Sequence, residues 1–182
     1  MPPGSSGTLP GMETRIVRPA READLDRLIE VGRRSWLSAF AQTAPFALLA
    51  WWVREDRTAT LYRQCWPQMW VLEQDGAILG LVQPQEGEIN GLWVDPAHQG
   101  TGAGTLLLRT GEELIEQAGY PSAWLTCSGF NLQALEFYRR RGYHETARSR
   151  ELHASGVEVE DVRMERALPS DAPGSRAGRR RP

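Results

Sequence analysis

Lysine is absent: all 21 basic residues of the 182-residue chain are arginine. GC-rich codon usage is the expected cause, and the chemical effect is to exclude whole reaction classes. There is no Walker A phosphate loop, no pyridoxal Schiff base and no lysine nucleophile. Cysteine is nearly absent as well, with only Cys65 and Cys127, not in C-x-x-C spacing, and the three histidines His98, His144 and His153 are scattered. Such a set supports neither a disulfide framework nor a zinc site, and no metal is expected. Long apolar runs are also missing. The longest, Pro45 to Val53, is too short to cross a bilayer. No secretory signal opens the chain, so a cytoplasmic protein with free thiols is expected, without a membrane partner.

What is present suits one globular domain: 41% hydrophobic and 24% charged residues in a length that permits a substantial core. The formal net charge of −2 hides an uneven distribution. Arg176, Arg179, Arg180 and Arg181 crowd the C-terminus, leaving residues 1–169 distinctly acidic. An acidic domain is a poor electrostatic match for nucleic acid, and none is expected. Residues 1–12 and 169–182 are rich in Pro, Gly and Ser without apolar period, and read as disordered ends. The single domain is therefore expected at 13–168.

Within it, Thr14 to Arg18 reads as a first strand, and from Glu22 the residues Leu25, Leu28, Ile29, Trp36 and Phe40 recur at helical spacing. A second helix is expected from Pro45 to about Cys65, opened by its proline. Trp70 to Glu73 and Ala77 to Val82 flank Gln74-Asp75-Gly76, a hairpin signal, and Pro84 to Gly87 reads as a break. A strand (Ile89 to Val94), a glycine-rich turn, a helix (Ala103 to Ala118), a strand (Ala123 to Cys127) and a helix (Leu132 to Arg141) follow. Two closing strands, Tyr143 to Arg148 and Val157 to Met164, complete an α/β order.

The turn Gln99-Gly100-Thr101-Gly102-Ala103-Gly104 joins an apolar strand directly to an amphipathic helix. The start of a helix carries unpaired N–H groups and partial positive charge, and small residues let an oxygen-rich anion approach them. A diphosphate fits that arrangement. A dinucleotide fingerprint starting at Gly100 needs glycine where Thr105 stands, and a plain tight turn needs only the positive φ that glycine allows.

Gln99, Gly102 and Gly104 are similar to the Q/R-x-x-G-x-G/A loop of the GCN5-related N-acetyltransferase (GNAT) family. Asn131, Ala134, Phe137, Tyr138, Gly142 and Tyr143 likewise resemble the family's N-x-x-A-x-x-F-Y-x-x-x-G-F/Y block. Two blocks in the right order, within a matching element order, extend the likeness over most of residues 13–166. The resemblance implies an acyl-CoA N-acyltransferase fold: a central twisted mixed sheet, flanked by helices and splayed between strands 4 and 5, where the arm of acetyl-CoA lies. It implies main-chain contacts to that arm from Leu92, Trp93 and Val94. It implies N–H contacts to the pyrophosphate from Gly100, Thr101, Gly102, Ala103, Gly104 and Thr105, and a bond from Asn131 to the pantetheine amide. Asn131 also suits an N-cap for the helix beginning at Leu132. Pairing of two copies through the final strands is a further implication.

Acetyl transfer to an amine has two proton problems. A lysine-like ammonium of pKa near 10.4 lies about 3.4 units from its nucleophilic form at pH 7, roughly 4.6 kcal/mol. The departing thiolate then needs an acid. Tyr138 occupies the family's position for that acid, although it also interleaves with Leu135 and Phe137 as a packing residue. Glu88, eleven residues before Gln99, is where several relatives hold a base that works through water; it equally suits a solvent-facing strand residue. Asp95 before Pro96 reads as a turn residue and Cys127 as a buried free thiol, so transfer is expected to be direct. The acceptor is expected to be a primary amine of a small molecule, and the resemblance implies that Ser38 to Pro45 and Ser149 to Gly156 frame its pocket. Overall acidity points to a cationic one. Protein or peptide N-terminal acetylation and a non-catalytic acyl-CoA-binding module are the alternatives.

Overall fold

A computed structural model describes residues 15–169. The terminal segments read as disordered lie outside the described residues, apart from Pro169. The chain runs β1 (Arg15–Pro19), α1 (Leu25–Phe40), α2 (Phe46–Arg54), α3 (Arg57–Cys65), β2 (Trp70–Gln74), β3 (Ala77–Gln85), β4 (Glu88–Val94), α4 (Ala103–Gln117), β5 (Ser122–Ser128), α5 (Leu132–Arg139), β6 (His144–Leu152) and β7 (Glu158–Ala167). Its seven strands form one sheet in the order β1-β2-β3-β4-β5-β7-β6. Every pairing is antiparallel except β4 with β5.

Strand alternation sends neighbouring apolar residues to opposite faces, so the sheet has two cores. Leu72, Val82, Ile89, Leu125 and Met164 meet Leu107 and Leu108 of α4 on one face. Val71, Ile78 and Leu81 meet Leu28 and Ile29 of α1 with Ala59 and Tyr62 of α3 on the other. Among the described residues no helix is long and apolar enough to cross a membrane.

The expected helix over 45–65 is in fact two. Asp56 takes the left-handed conformation, φ 43° and ψ 50°, which aspartate tolerates better than most residues. Its carboxylate accepts bonds from Arg33 Nε (3.1 Å) and Nη2 (2.6 Å). The break turns α2 back over α1, where Trp36 and Trp52 stack with centroids 4.6 Å apart.

The expected break at Pro84 to Gly87 is also different. β3 continues through Pro84 and Gln85, and the turn is confined to Glu86 (φ 49°) and Gly87 (φ 83°), matching the Asp75 (φ 51°) and Gly76 (φ 80°) turn of the first hairpin. Proline has no N–H for the ladder. The register accordingly slips there: Gln83 faces Gly91 while Pro84 faces Ile89, leaving Asn90 as an extra residue on β4. A bulge of this kind bends its strand. β4 and β5 share a single register pair, Glu88 with Trp124, and diverge beyond it. That fork is the expected splay between strands 4 and 5.

The turn after β4 is fixed by charge. Asp95, 1% exposed, accepts the Ala97 N–H at 3.0 Å and lies 3.0 Å from Arg27 and 3.1 Å from Arg34, both on α1. Removing the carboxylate in Asp95→Ala leaves two half-exposed guanidinium groups to rehydrate and one N–H without its cap. Urea unfolding is expected to show a loss of about 3 kcal/mol.

Candidate active site

Divergence of β4 from β5 opens a cleft of about 650 Å³. Its walls come from α1, β4, the glycine turn, β5 and α5. Leu92, Val94, Gln99, Gly100, Gly102, Gly104, Thr105, Asn131 and Tyr138 all line it, as does Trp93. The structure thus brings two separate sequence blocks onto one space. Thr101 and Ala103 belong to the same turn but do not line the cleft, and neither does Glu88.

The main chain of β4 faces two ways. Asp95 N–H donates to the Leu79 carbonyl at 2.8 Å, so alternation along the antiparallel ladder pairs Trp93 with Leu81 through their backbone groups. Leu92 and Val94 then turn theirs into the fork. The Val94 carbonyl is already taken, accepting from Ser35 Oγ at 2.8 Å and Gln99 Nε2 at 3.3 Å. Of the three residues expected to hold a ligand through the main chain, Leu92 and the Val94 N–H are free to do so. Trp93 meets the cleft with its indole instead, placed edge-on to Phe40.

At the turn, Gly100 (φ 76°) and Gly102 (φ 85°) hold conformations that only glycine adopts without strain. α4 begins immediately afterwards, with Leu106 N–H donating to the Gly102 carbonyl. The preceding N–H groups of Ala103, Gly104 and Thr105 lie in the first turn, without intrahelical partners. Gly104 is small for a different reason: a Cβ there would lie 3.3 Å from the Phe137 ring.

One residue of this site was not singled out from the sequence. Arg141, last of the Arg139–Arg141 run, is the one charged side chain on the cleft wall among the described residues. It stacks 3.6 Å above the Phe137 ring, donates to Thr105 Oγ1 and the Phe137 carbonyl, and forms no salt bridge among the described residues. Its buried Nε has no hydrogen-bond partner, and burial lowers its pKa from the usual guanidinium value. A cation without a salt bridge beside helix N–H groups suits an anion. The signal was in the sequence, in a basic run that follows the aromatic pair Phe137-Tyr138.

Asn131 caps α5: its Oδ1 accepts the Ala134 N–H at 3.2 Å. Its amide NH2 is what it can offer a ligand. Tyr138, 7% exposed, packs edge-on to Phe137 and Tyr143 while lining the cleft. Burial raises its pKa, so the phenol stays a proton donor. Burial also pushes the Cys127 thiol up to about 12, so the group is not a thiolate nucleophile near neutral pH. Glu88 stands at the closed end of the fork, its pKa raised by burial against the pull of Arg163. Asp161, also raised by burial, lies across the ladder from the cleft residue Ser128 and escaped the sequence reading. Among the described residues no group of three or more His, Cys, Asp or Glu forms a metal-binding cluster.

Burial raises the pKa of Tyr62, Tyr138 and Tyr143 together. Ultraviolet titration of phenolate is therefore expected to leave these three protonated past about pH 11 in the folded protein. Unfolded phenols ionise near pH 10 and the folded ones do not, so stability should fall as pH rises beyond about 10.

Residues 25–143 match the acetyltransferase (GNAT) family. The peptidyl-lysine N-acetyltransferase YiaC of Escherichia coli is 27% identical over 136 residues, covering 71% of this chain and 83% of that protein. The N-alpha-acetyltransferase RimI of Mycobacterium tuberculosis is 36% identical over 93 residues, covering 50% of this chain and 57% of that protein. Among solved structures, a GCN5-related N-acetyltransferase from Rhodopseudomonas palustris superposes with a TM-score of 0.70 at 21% identity, covering 88% of this chain and all of that one. PaiA N-acetyltransferase from Thermoplasma acidophilum, solved with coenzyme A, gives 0.67 at 20% identity over 85% and 99% of the two chains. These likenesses agree with the forked sheet in fold, and the match over residues 25–143 carries the assignment: the chain belongs to the GNAT family of acetyltransferases.

Proposed function

We propose that the protein transfers the acetyl group of acetyl-CoA directly to a primary amine. The observation that carries this reading is the single cleft in which the glycine turn, the open edge of β4 and Tyr138 meet. The N–H groups of Gly100, Gly102, Gly104 and Thr105 and the Arg141 guanidinium suit the diphosphate. The Leu92 main chain and the Asn131 NH2 suit the amides of the pantetheine arm. These residues fit the coenzyme in charge and in donor type. Bound there, acetyl-CoA supplies an activated thioester.

The amine nitrogen attacks the thioester carbon, a C–N bond forms, and the C–S bond breaks. Tyr138 gives its proton to the departing sulfur. A buried phenol is fully protonated at neutral pH and regains its proton from solvent after product release. Tyr138→Phe keeps the ring packing and removes the proton. It is expected to lower kcat about 10²-fold, with coenzyme A affinity by calorimetry unchanged. An unchanged kcat would remove Tyr138 from the chemistry.

The ammonium proton leaves through water, because the cleft wall contains no carboxylate among the described residues. Glu88 is the proposed acceptor of that relay. Its cross-strand partner Gln85 lines an adjoining cavity, and a carboxylate with a raised pKa holds a proton more readily. Asp161 is the second reading, favoured by its position opposite Ser128. Glu88→Gln is expected to lower kcat about tenfold at pH 7. The deficit should shrink as pH rises, since the amine then arrives already deprotonated. An equal loss in Asp161→Asn with none in Glu88→Gln would transfer the role.

The acceptor is proposed to be a small molecule. N-terminal acetylation of a peptide is the alternative, in line with the N-alpha-acetyltransferase name of RimI, whereas the name of YiaC says peptidyl-lysine. A coenzyme-binding module without catalysis would bind coenzyme A yet release no thiol with any amine.

A further inference from the structure

Behind the cleft lies a second cavity of about 340 Å³. The two share one partition, made of Trp36, Trp52, Asn90, Gly91 and Trp93. Asn90, the extra residue of the β4 bulge, therefore faces both spaces. Beyond the partition no charged side chain lines the cavity among the described residues; Tyr62, Met69 and Leu81 form its floor, and Leu61 stands at its rim. One polar group there is unaccounted for. Gln83, 8% exposed, lines the cavity with an amide that has no hydrogen-bond partner among the described residues. Its amide atoms are open to the cavity rather than sealed in the core, so a ligand lying there can bond to them.

We infer that this second cavity is the acceptor subsite, and that it selects monoamines whose arm carries an aromatic ring and one hydrogen-bonding group. The inference rests on the acetyl-transfer reading above and names its substrate class. Size and charge both lead to it. The space is at the low end for ligand pockets, enough for a ring and too little for an aminoglycoside. A second ammonium would enter an uncharged, tryptophan-lined space with no carboxylate to meet it. Trp36 and Trp52 stack face to face at 7° and line the cavity together with Trp93, so aromatic surface is available to an incoming ring. Gln83 then meets a hydroxyl or carbonyl on that ring or beside it. The acidity of residues 1–169 pointed to a cationic acceptor, but the negative charges do not line either space.

The test is a thiol-release panel with acetyl-CoA and tyramine, phenethylamine, spermidine, kanamycin, and tripeptides beginning with Phe or Ala. Tyramine is expected to exceed spermidine and kanamycin at least about tenfold in kcat/KM, and phenethylamine by a smaller margin. A preference for the Phe over the Ala peptide, with little turnover of small amines, assigns the same ring-bearing group to a peptide. Leu61→Trp fills the cavity from its rim and should cut kcat/KM for the best acceptor about tenfold with coenzyme A affinity unchanged. Gln83→Leu should erase the margin of tyramine over phenethylamine. Polycations or the Ala peptide turned over as well as the aromatic acceptors would overturn the subsite while leaving acetyl transfer intact. No thiol release with any amine, although coenzyme A binds, would overturn both.

Discussion

A proline that cannot donate a hydrogen bond sits opposite the place where the sheet must open. Pro84 leaves a gap in the ladder, β4 takes up the slack with Asn90, and the strand bends away from β5 after one shared pair. Backbone groups in a protein interior must be paired. Those on the open edge of β4 lack the neighbour a continuous sheet would give, and the fold answers in two ways. Side chains satisfy the Val94 carbonyl, and an open cleft leaves the groups of Leu92 for a ligand. The site is a sheet defect held at a fixed position.

Holding it requires that the strand end stay put. Asp95 performs that task from a fully buried position, tying the turn after β4 to α1 through two arginines and to its own backbone through Ala97. The same helix α1 contributes Ser35 to the Val94 carbonyl and Trp36 to the partition. One element thus fixes the strand, one wall of the cleft and one wall of the adjoining cavity. Arg141 does the corresponding work on the opposite side, bridging α5 to Thr105 at the start of α4. The end of α5 is thereby tied to the start of α4.

The sequence carried the parts of this arrangement that depend on local chemistry. The strand, turn and helix around Gln99 to Thr105 were legible because glycine at a left-handed position and an apolar strand are both local signals. So were the Asp75-Gly76 hairpin and the α5 start at Asn131, where the expected cap is present. What was not legible depends on partners distant along the chain. Asp56 enters the left-handed region where Arg33 grips it, 23 residues earlier, and nothing between Pro45 and Cys65 announces that break. Pro84 reads as a terminator because its missing N–H is local, whereas the bulge that accommodates it involves β4. β6 runs on to Leu152, into the stretch read as a connection, because β7 pairs with it at that end, Leu152 with Glu158. Tyr138 was named from its motif context, and the space beside it needed β4, α4 and α5 in position.

Net charge misleads at this scale for the same reason. Carboxylates give residues 1–169 their acidity, yet they are distributed over helix exteriors, ion pairs with arginine and the rim of the sheet. A cleft formed where a sheet divides is lined by the residues of strand interiors, which are apolar or neutral because both faces of those strands are packed. The exceptions are informative because each has a distinct cause. Arg141 reaches the cleft by lying along Phe137, and Gln83 turns its amide to the adjoining cavity beside the bulge. The first lies at the end of the cleft proposed for the diphosphate, and the second lines the cavity proposed for the acceptor. Trp36 and Trp52 separate the two spaces from the helix side, and Asn90, Gly91 and Trp93 of β4 border both.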